Sequence, residues 1–257
     1  MKKFAIISRD DEVSVKVATT IQNQLIAGGM QYSTEQPEIV CTIGGDGTFL
    51  SAIHKYLHML DKTAFVGIHT GTLGFFADYT LKQISELSHD ILTKEPQIEK
   101  RALLKIHLSS INKDCYAVNE LLIQRDRTQH IDVYINDKKL ETFHGTGLIL
   151  STQIGSTAYN RSVGGAVVEP GLEIMQLAEL AGIHHRHYRS LNNSLIVAGK
   201  NEVKFTSDDF SDATLGFDRY VIKLPKKEDI ICTLSDLKVQ LAHYHEPDWI
   251  KHLEQLY

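Results

Sequence analysis

Glu38-Ile39-Val40-Cys41-Thr42-Ile43-Gly44-Gly45-Asp46-Gly47-Thr48 changes character halfway along its length. Its first half is an apolar, β-branched run that reads as a buried strand, and its second half is a glycine loop. After the loop, Leu50, Ile53 and Leu57 resume helical spacing, so the glycines sit at a strand-to-helix junction. Such a junction is an anion site in waiting. Successive glycines let the backbone approach a phosphate, and the helix that follows points free N–H groups at it. The carboxylate of Asp46 opposes phosphate binding unless it has a task of its own, such as accepting a proton from an attacking hydroxyl or helping to hold a metal ion. A tight turn with a capping aspartate is the plainer alternative.

The same rhythm runs on both sides of the junction. Residues 4–8 read as a strand, and Val13, Val17, Ile21 and Leu25 then recur every four residues along one helical face up to Gly28-Gly29. Residues 64–68 make a further strand, Thr70-Gly71-Thr72-Leu73-Gly74-Phe75-Phe76 a second glycine-containing loop, and residues 81–92 a helix. Strands alternating with helices imply crossover connections and a Rossmann-like parallel α/β domain over residues 1–98. Near Pro96 the period changes. Residues 102–108, 116–124, 131–135, 140–143 and 147–151 read as strands, with Asn136-Asp137 as hairpin chemistry between two of them. One helix is expected at residues 172–181, followed by further strands, so residues 99–240 form a second, antiparallel, mostly β domain. Residues 241–257 are expected to pack back on the first, with Trp249 as the anchor.

The chain has 257 residues, about 1.7 domains by length. It is 42% hydrophobic and 23% charged, enough apolar material for a sizeable core. The net charge of −5 disfavours a general nucleic-acid binder, which needs a basic surface. No apolar run approaches the length of a membrane span. Residues 4–7 are too short for an export signal, being stopped by Ser8-Arg9-Asp10-Asp11. Cys41, Cys115 and Cys232 form no paired motif, which fits reduced thiols in a cytoplasmic protein.

Two further stretches carry chemistry. Asn119-Glu120, an amide beside a carboxylate in an apolar strand, can bind the two hydroxyls of a ribose. Ser151-Thr152-Gln153-Ile154-Gly155-Ser156-Thr157-Ala158-Tyr159-Asn160, with Gly164-Gly165 after it, offers hydroxyls and an aromatic face to a polar planar ligand. Neither stretch is specific alone, and a solvated strand face or loop filling would explain each. His184-His185-Arg186-His187 and His243-Tyr244-His245 invite a metal reading, but no further ligand stands at convincing spacing. Tyr32, Tyr56 and Tyr79 read as partial core.

Taken together and in this order, GGDGT, Asn119-Glu120 and Gly155-Ser156-Thr157-Ala158-Tyr159-Asn160 followed by Gly164-Gly165 resemble the NAD kinase family over nearly the whole chain. Residues 68–76 are similar to its third motif and residues 181–190 to the segment after its pocket. The resemblance implies transfer of the γ-phosphoryl group of ATP to the 2′-hydroxyl of the adenosine ribose of NAD. Mg²⁺ is then held by the nucleotide phosphates, with no metal ligands from the protein alone. It implies Asp46 as the base and Gly44, Gly45, Gly47 and Thr48 as the phosphate loop. NAD contacts fall to Asp46, Gly47, Phe75, Asn119, Glu120, Thr157, Ala158, Tyr159, Asn160, Arg161, Ser162, Ala181 and Arg219. Where relatives carry Arg-x-Asp-Gly, a segment that reaches the ligand partly across a subunit boundary, this chain has His144-Gly145-Thr146-Gly147. His144 and Thr146 inherit those positions with neutral or switchable groups. Gln153 replaces the usual proline. The partners implied are small-molecule nucleotides and further copies of the chain, as a dimer or tetramer, with no nucleic acid and no membrane. A dinucleotide-binding regulator without catalysis and a lipid kinase with the same GGDGT loop are the alternatives.

Overall fold

The computed structural model describes residues 2–71, 74–184, 186 and 190–254. The chain divides into two compact units, one of Met1–Arg101 with Leu237–Tyr257 and the other of Ala102–Asp236. These boundaries fall a few residues from the junctions at 98/99 and 240/241 read from the sequence.

The first unit begins with β1 (Lys3–Ser8), α1 (Glu12–Ala27), β2 (Gln31–Tyr32), β3 (Ile39–Gly44), α2 (Asp46–Lys55), β4 (Ala64–His69), β5 (Tyr79–Thr80) and α3 (Ile84–Thr93). β1 pairs in parallel with β2 and β3, β3 with β4, and β4 with β5. Every residue of β3 is buried, as a parallel strand covered on both faces requires. Alternate residues Cys41, Ile43, Val66 and Ile68 join Val17, Ile21 and Leu25 of α1 and Leu87 and Ile91 of α3 in one core. Phe65, pointing the other way, meets Phe49 of α2 and Tyr56, and Phe49 stacks on Phe76 at 4.8 Å. Asp11 caps α1, accepting the Ser14 N–H at 3.0 Å. Val13, grouped with the core face by its spacing, lies in the first turn and is half exposed. Tyr56 and Tyr79 are fully buried, whereas Tyr32, on a two-residue edge strand, is exposed.

β6 (Gln97–Leu108) leads into the second unit, followed by β7 (Lys113–Ala117), β8 (Glu120–Ile135), β9 (Lys138–Thr152), α4 (Tyr159–Ser162), β10 (Ile174–Leu180), β11 (Leu195–Ala198), β12 (Val203–Ser207), β13 (Thr214–Phe217), β14 (Tyr220–Lys223) and β15 (Glu228–His243). Its strands pair antiparallel: β6 with β7, β11 with β10, β10 with β9, β9 with β8, β8 with both β12 and β13, β13 with β14, and β12 with β15. The β8–β9 turn is Asn136-Asp137, both at positive φ (47° and 62°), as the sequence predicts.

The helix expected at residues 172–181 is instead the strand β10, and the expectation is corrected. Met175, Gln176, Leu177 and Ala178 are all fully buried between β9 and β11, and a strand buried on both faces loses the period-two signal. The strand read over 116–124 is broken after Ala117, because the Val118 and Asn119 N–H groups are taken by a side chain rather than a neighbouring strand.

β15 ends in the first unit, where Gln240 and Leu241 pair in parallel with Ala64 and Phe65 of β4. Ala242 and Tyr244 join the core there, and α5 (Trp249–Glu254) follows. No described helix is long and apolar enough to cross a membrane.

Candidate functional site

In the first unit the loops leaving β1, β3 and β4 gather at the carboxyl ends of the parallel strands, where open α/β sheets bind ligands. Arg9 N–H donates to Ile43 O at 2.8 Å, Thr70 N–H to Gly44 O at 3.3 Å, and the Ser14 and Thr70 hydroxyls lie 3.1 Å apart. Gly45 caps α2 in an extended conformation, so Asp46 and Gly47 open the helix and Thr48 closes its first turn with a bond to Gly45 O. A side chain at Gly44 would run into Thr48, which explains the first glycine. The Asp46 carboxylate accepts the Phe75 N–H at 3.2 Å and the Phe76 N–H at 3.4 Å. Gly67 of β4 lets the Phe76-Ala77 backbone pass close above it, and Gly74 lies against the carboxylate itself. Burial pushes the Asp46 carboxyl above its ordinary value, against the two N–H bonds and a nearby His252, which favour the anion. A poised carboxylate beside a helix N-terminus is suited to proton acceptance next to phosphate.

In the second unit Glu120 opens β8 and Asn119 stands just before it, and both are largely buried. Their backbone is clamped from three sides. Asp218 accepts the N–H groups of Val118 and Asn119 at 2.8 Å each, Thr152 donates its hydroxyl to Val118 O at 2.6 Å, and Thr152 N–H donates to Asn119 O at 2.8 Å. Gly155 packs so closely on the Asn119 carbonyl that no side chain fits there. Burial and the neighbouring Asp218 raise the Glu120 carboxyl to about 7, against one backbone N–H from Tyr159, and Glu120 Oε2 has no partner among the described residues. Asn160 is fully buried with both side-chain polar atoms unpartnered among the described residues, and Gly165 is packed over them. Buried polar atoms left in this state are ready to be satisfied by a ligand. Tyr159 is exposed, and Gln153 in the place of a proline donates to Val168 O at 2.7 Å.

Asp218 was not among the residues singled out from the sequence. Its signal is the two-residue turn Asp218-Arg219 between β13 and β14, where Asp218 adopts positive φ (49°) so that its carboxylate reaches back to β8. Arg219 stands exposed beside it.

His144, Thr146 and Ala181 form a separate group. Ile183 N–H donates to His144 O at 2.6 Å, Thr146 Oγ1 donates to Leu180 O at 3.1 Å, and the His130 and His144 rings lie 4.1 Å apart. On the ladder His144 faces His130 while Glu120 faces Ser151. The rise per residue therefore separates His144 and Thr146 from Asn119-Glu120 by roughly 20 Å within one chain. Thr72 and Leu73 of the third motif, and His185 and His187 of the histidine-rich run, lie outside the described residues. His243 and His245 do not share a metal site: His243 bonds Asp78 (2.6 Å) and Glu99 (3.3 Å), whereas His245 bonds Glu86 (3.3 Å) and Asp90 (3.0 Å).

Residues 118–244 match the family model described as ATP-NAD kinase C-terminal domain. The chain is 34% identical over 252 residues to NAD kinase of Geobacillus stearothermophilus, covering 96% of this chain and 93% of that protein. It is 36% identical over 253 residues to NAD kinase 1 of Bacillus subtilis, covering 96% and 95%. Among solved structures it resembles yeast NADH kinase complexed with NADH (TM-score 0.87, 17% identity, 100% of this chain and 87% of that one). It also resembles an NAD kinase from Archaeoglobus fulgidus in complex with ATP (TM-score 0.78, 19% identity, 99% and 98%). The glycine loop with its held carboxylate, the clamped Asn119-Glu120 pair and these full-length similarities lead to one assignment: the chain belongs to the NAD kinase family.

Proposed function

We propose that the chain transfers the γ-phosphoryl group of ATP to the 2′-hydroxyl of the adenosine ribose of NAD, producing NADP, with Asp46 as the proton acceptor. Family membership supports the reaction. The observation that carries the role of Asp46 is its carboxylate, held by the Phe75 and Phe76 amides at the start of α2 and raised by burial above its ordinary value. As the ribose oxygen bonds to phosphorus, its O–H bond breaks, the proton passes to Asp46, and the bond from phosphorus to the leaving ADP oxygen opens. Phosphoryl transfer needs mainly positioning and charge neutralisation, which a glycine loop and one carboxylate can serve.

Gly44, Gly45, Gly47 and Thr48 bind phosphate in this reading. Phe75, Asn119, Glu120, Thr157, Ala158, Tyr159, Asn160, Arg161, Ser162 and Arg219 contact NAD, the Asn119 amide and Glu120 carboxylate receiving ribose hydroxyls. The loop offers one carboxylate, already bonded to two amides, and the cluster with metal-ligand spacing among the described residues, Glu86, Asp90 and His245, lies outside the loop. That donor set fits a Mg²⁺ ion that arrives on the nucleotide phosphates, where it neutralises their charge.

A closed homo-oligomer, dimer or tetramer, belongs to the same reading. The ladder places His144, Thr146 and Ala181 roughly 20 Å from Asn119-Glu120 in one chain, which supports a ligand taking the two groups from different copies. Light scattering giving a monomer at assay concentration would refute this. A cytoplasmic location fits the three free, buried thiols.

The test of the reaction is incubation with ATP, Mg²⁺ and NAD, followed by detection of NADP with a specific dehydrogenase. Asp46→Asn is expected to lower kcat by roughly 10²–10⁴-fold with little change in NAD binding. Full turnover by that variant would remove Asp46 from its role.

A further inference from the structure

Val118 and Asn119 lie between β7 and β8 and belong to neither strand. All four of their backbone polar groups are nevertheless bonded. Thr152 holds the two carbonyls, with its hydroxyl on Val118 O and its N–H on Asn119 O. Asp218 holds the two amides, Oδ2 accepting from Val118 and Oδ1 from Asn119, at 2.8 Å each. The Asp218 N–H in turn donates to Glu120 O at 3.2 Å, and the next rung of the ladder pairs Phe217 with Leu121. One turn residue thus grips Val118, Asn119 and Glu120, the last two of which carry the polar side chains of the site.

A carboxylate is an unfavourable neighbour for Glu120, whose own carboxyl it pushes upward. Asparagine would avoid that repulsion and tolerates the same left-handed backbone. It offers a single acceptor oxygen, however, and its amino group would face an N–H. Of side chains this short, the carboxylate is the one that accepts both amides at once.

We propose that Asp218 is a positioning residue for the dinucleotide: its two bonds set the direction in which the Asn119 and Glu120 side chains leave the backbone, and through them the affinity for NAD. The inference rests on that pair contacting NAD. A contact made by groups already held in the bound arrangement does not lose the free energy of ordering them on binding. ATP, whose phosphates fall to the glycine loop of the first unit, is the internal control.

Asp218→Asn keeps the size and the backbone conformation and gives up one of the two amide bonds. The KM for NAD should rise roughly tenfold, as for the loss of one charge-assisted hydrogen bond, while the KM for ATP stays within about twofold of the wild type. Calorimetric titration with NAD supplies a second readout without turnover. In a chain already carrying Asn119→Ala and Glu120→Gln, Asp218→Asn should weaken NAD no further, because it acts through those side chains. A general structural role would raise both KM values, or weaken NAD by the same factor in both backgrounds. Either result, or an unchanged KM for NAD, overturns the proposal. Substitution of the pair that leaves NAD affinity intact would remove the role of the pair and the positioning role with it. A pair that matters beside an Asp218→Asn that does not would remove the positioning role alone. Amide hydrogen exchange on the wild type needs no variant: Val118 and Asn119, outside any strand, should exchange as slowly as the neighbouring amides of β8, and fast exchange refutes the clamp. A wild-type protein that makes no NADP would refute the reaction, while the titrations with NAD still decide the positioning.

Discussion

Gly74→Ala is the sharpest probe of how Asp46 is held. A methyl group built on Gly74 lies 2.5 Å from Asp46 Cγ and 2.7 Å from Oδ2, with Oδ1 nearer still. Ordinary contacts begin beyond about 3.4 Å, so the carboxylate must retreat by roughly 1 Å. The obstacle is the free end of a side chain rather than backbone, so the protein has a cheap way out: Asp46 rotates and loses the Phe75 and Phe76 amides. A misplacement of about 1 Å in a reacting group costs on the order of 10²-fold in rate. The expected outcome is a kcat reduced by about 10²-fold, with NAD affinity near that of the wild type and a melting temperature shifted by only a few degrees. The assay is NADP formation under saturating ATP and NAD, alongside a melting curve. A variant that folds normally and keeps kcat within about threefold of the wild type would show that the Asp46 geometry at this loop does not govern turnover.

Two other expectations concern pH. Glu120 is raised from 4.5 to about 7, so the folded state binds its proton more tightly than the unfolded chain, and stability falls as pH rises from about 4.5 to 7. Glu120→Gln removes that loss, and denaturant titrations should show it gaining roughly 2–3 kcal/mol on the wild type between pH 4 and 8; a constant difference across that range contradicts the burial argument. For His243, burial alone would lower the imidazole, but bonds and charges from Asp78 and Glu99 outweigh it and raise the group to about 9. Its stabilising contribution is therefore complete below about 6.5 and lost as pH rises through about 9, so the stability gap between wild type and His243→Gln should narrow over that interval, and a gap that widens reverses the sign of the argument.

Much of this arrangement was legible in the sequence because it is local. The β3–glycine–α2 junction, the α1 face and the Asn136-Asp137 turn are each set by residues within a few positions of one another. What was not legible depends on distant partners. β10 hides its period because neighbours cover both faces, and the break after Ala117 is made by Asp218, a hundred residues downstream. The site followed the same rule. GGDGT and Asn119-Glu120 announced themselves by composition, while Asp218 owes its place to a turn whose sequence carries no motif.

The first unit is built from both ends of the chain, with β15 lying beside β4 and residues Ala242 and Tyr244 completing a core begun at Phe4. During synthesis, β1 to α3 leave the ribosome first, yet β4, flanked by β5 only at Ile68 and His69, lacks its β15 partner along Ala64 and Phe65 until all of Ala102–Asp236 has been made, on the order of ten seconds later. The second unit is continuous and can fold within that interval. The order of completion is thus the reverse of the order of emergence. For that interval the early strands wait with a partly unpaired edge, the state in which parallel sheets are exposed to aggregation.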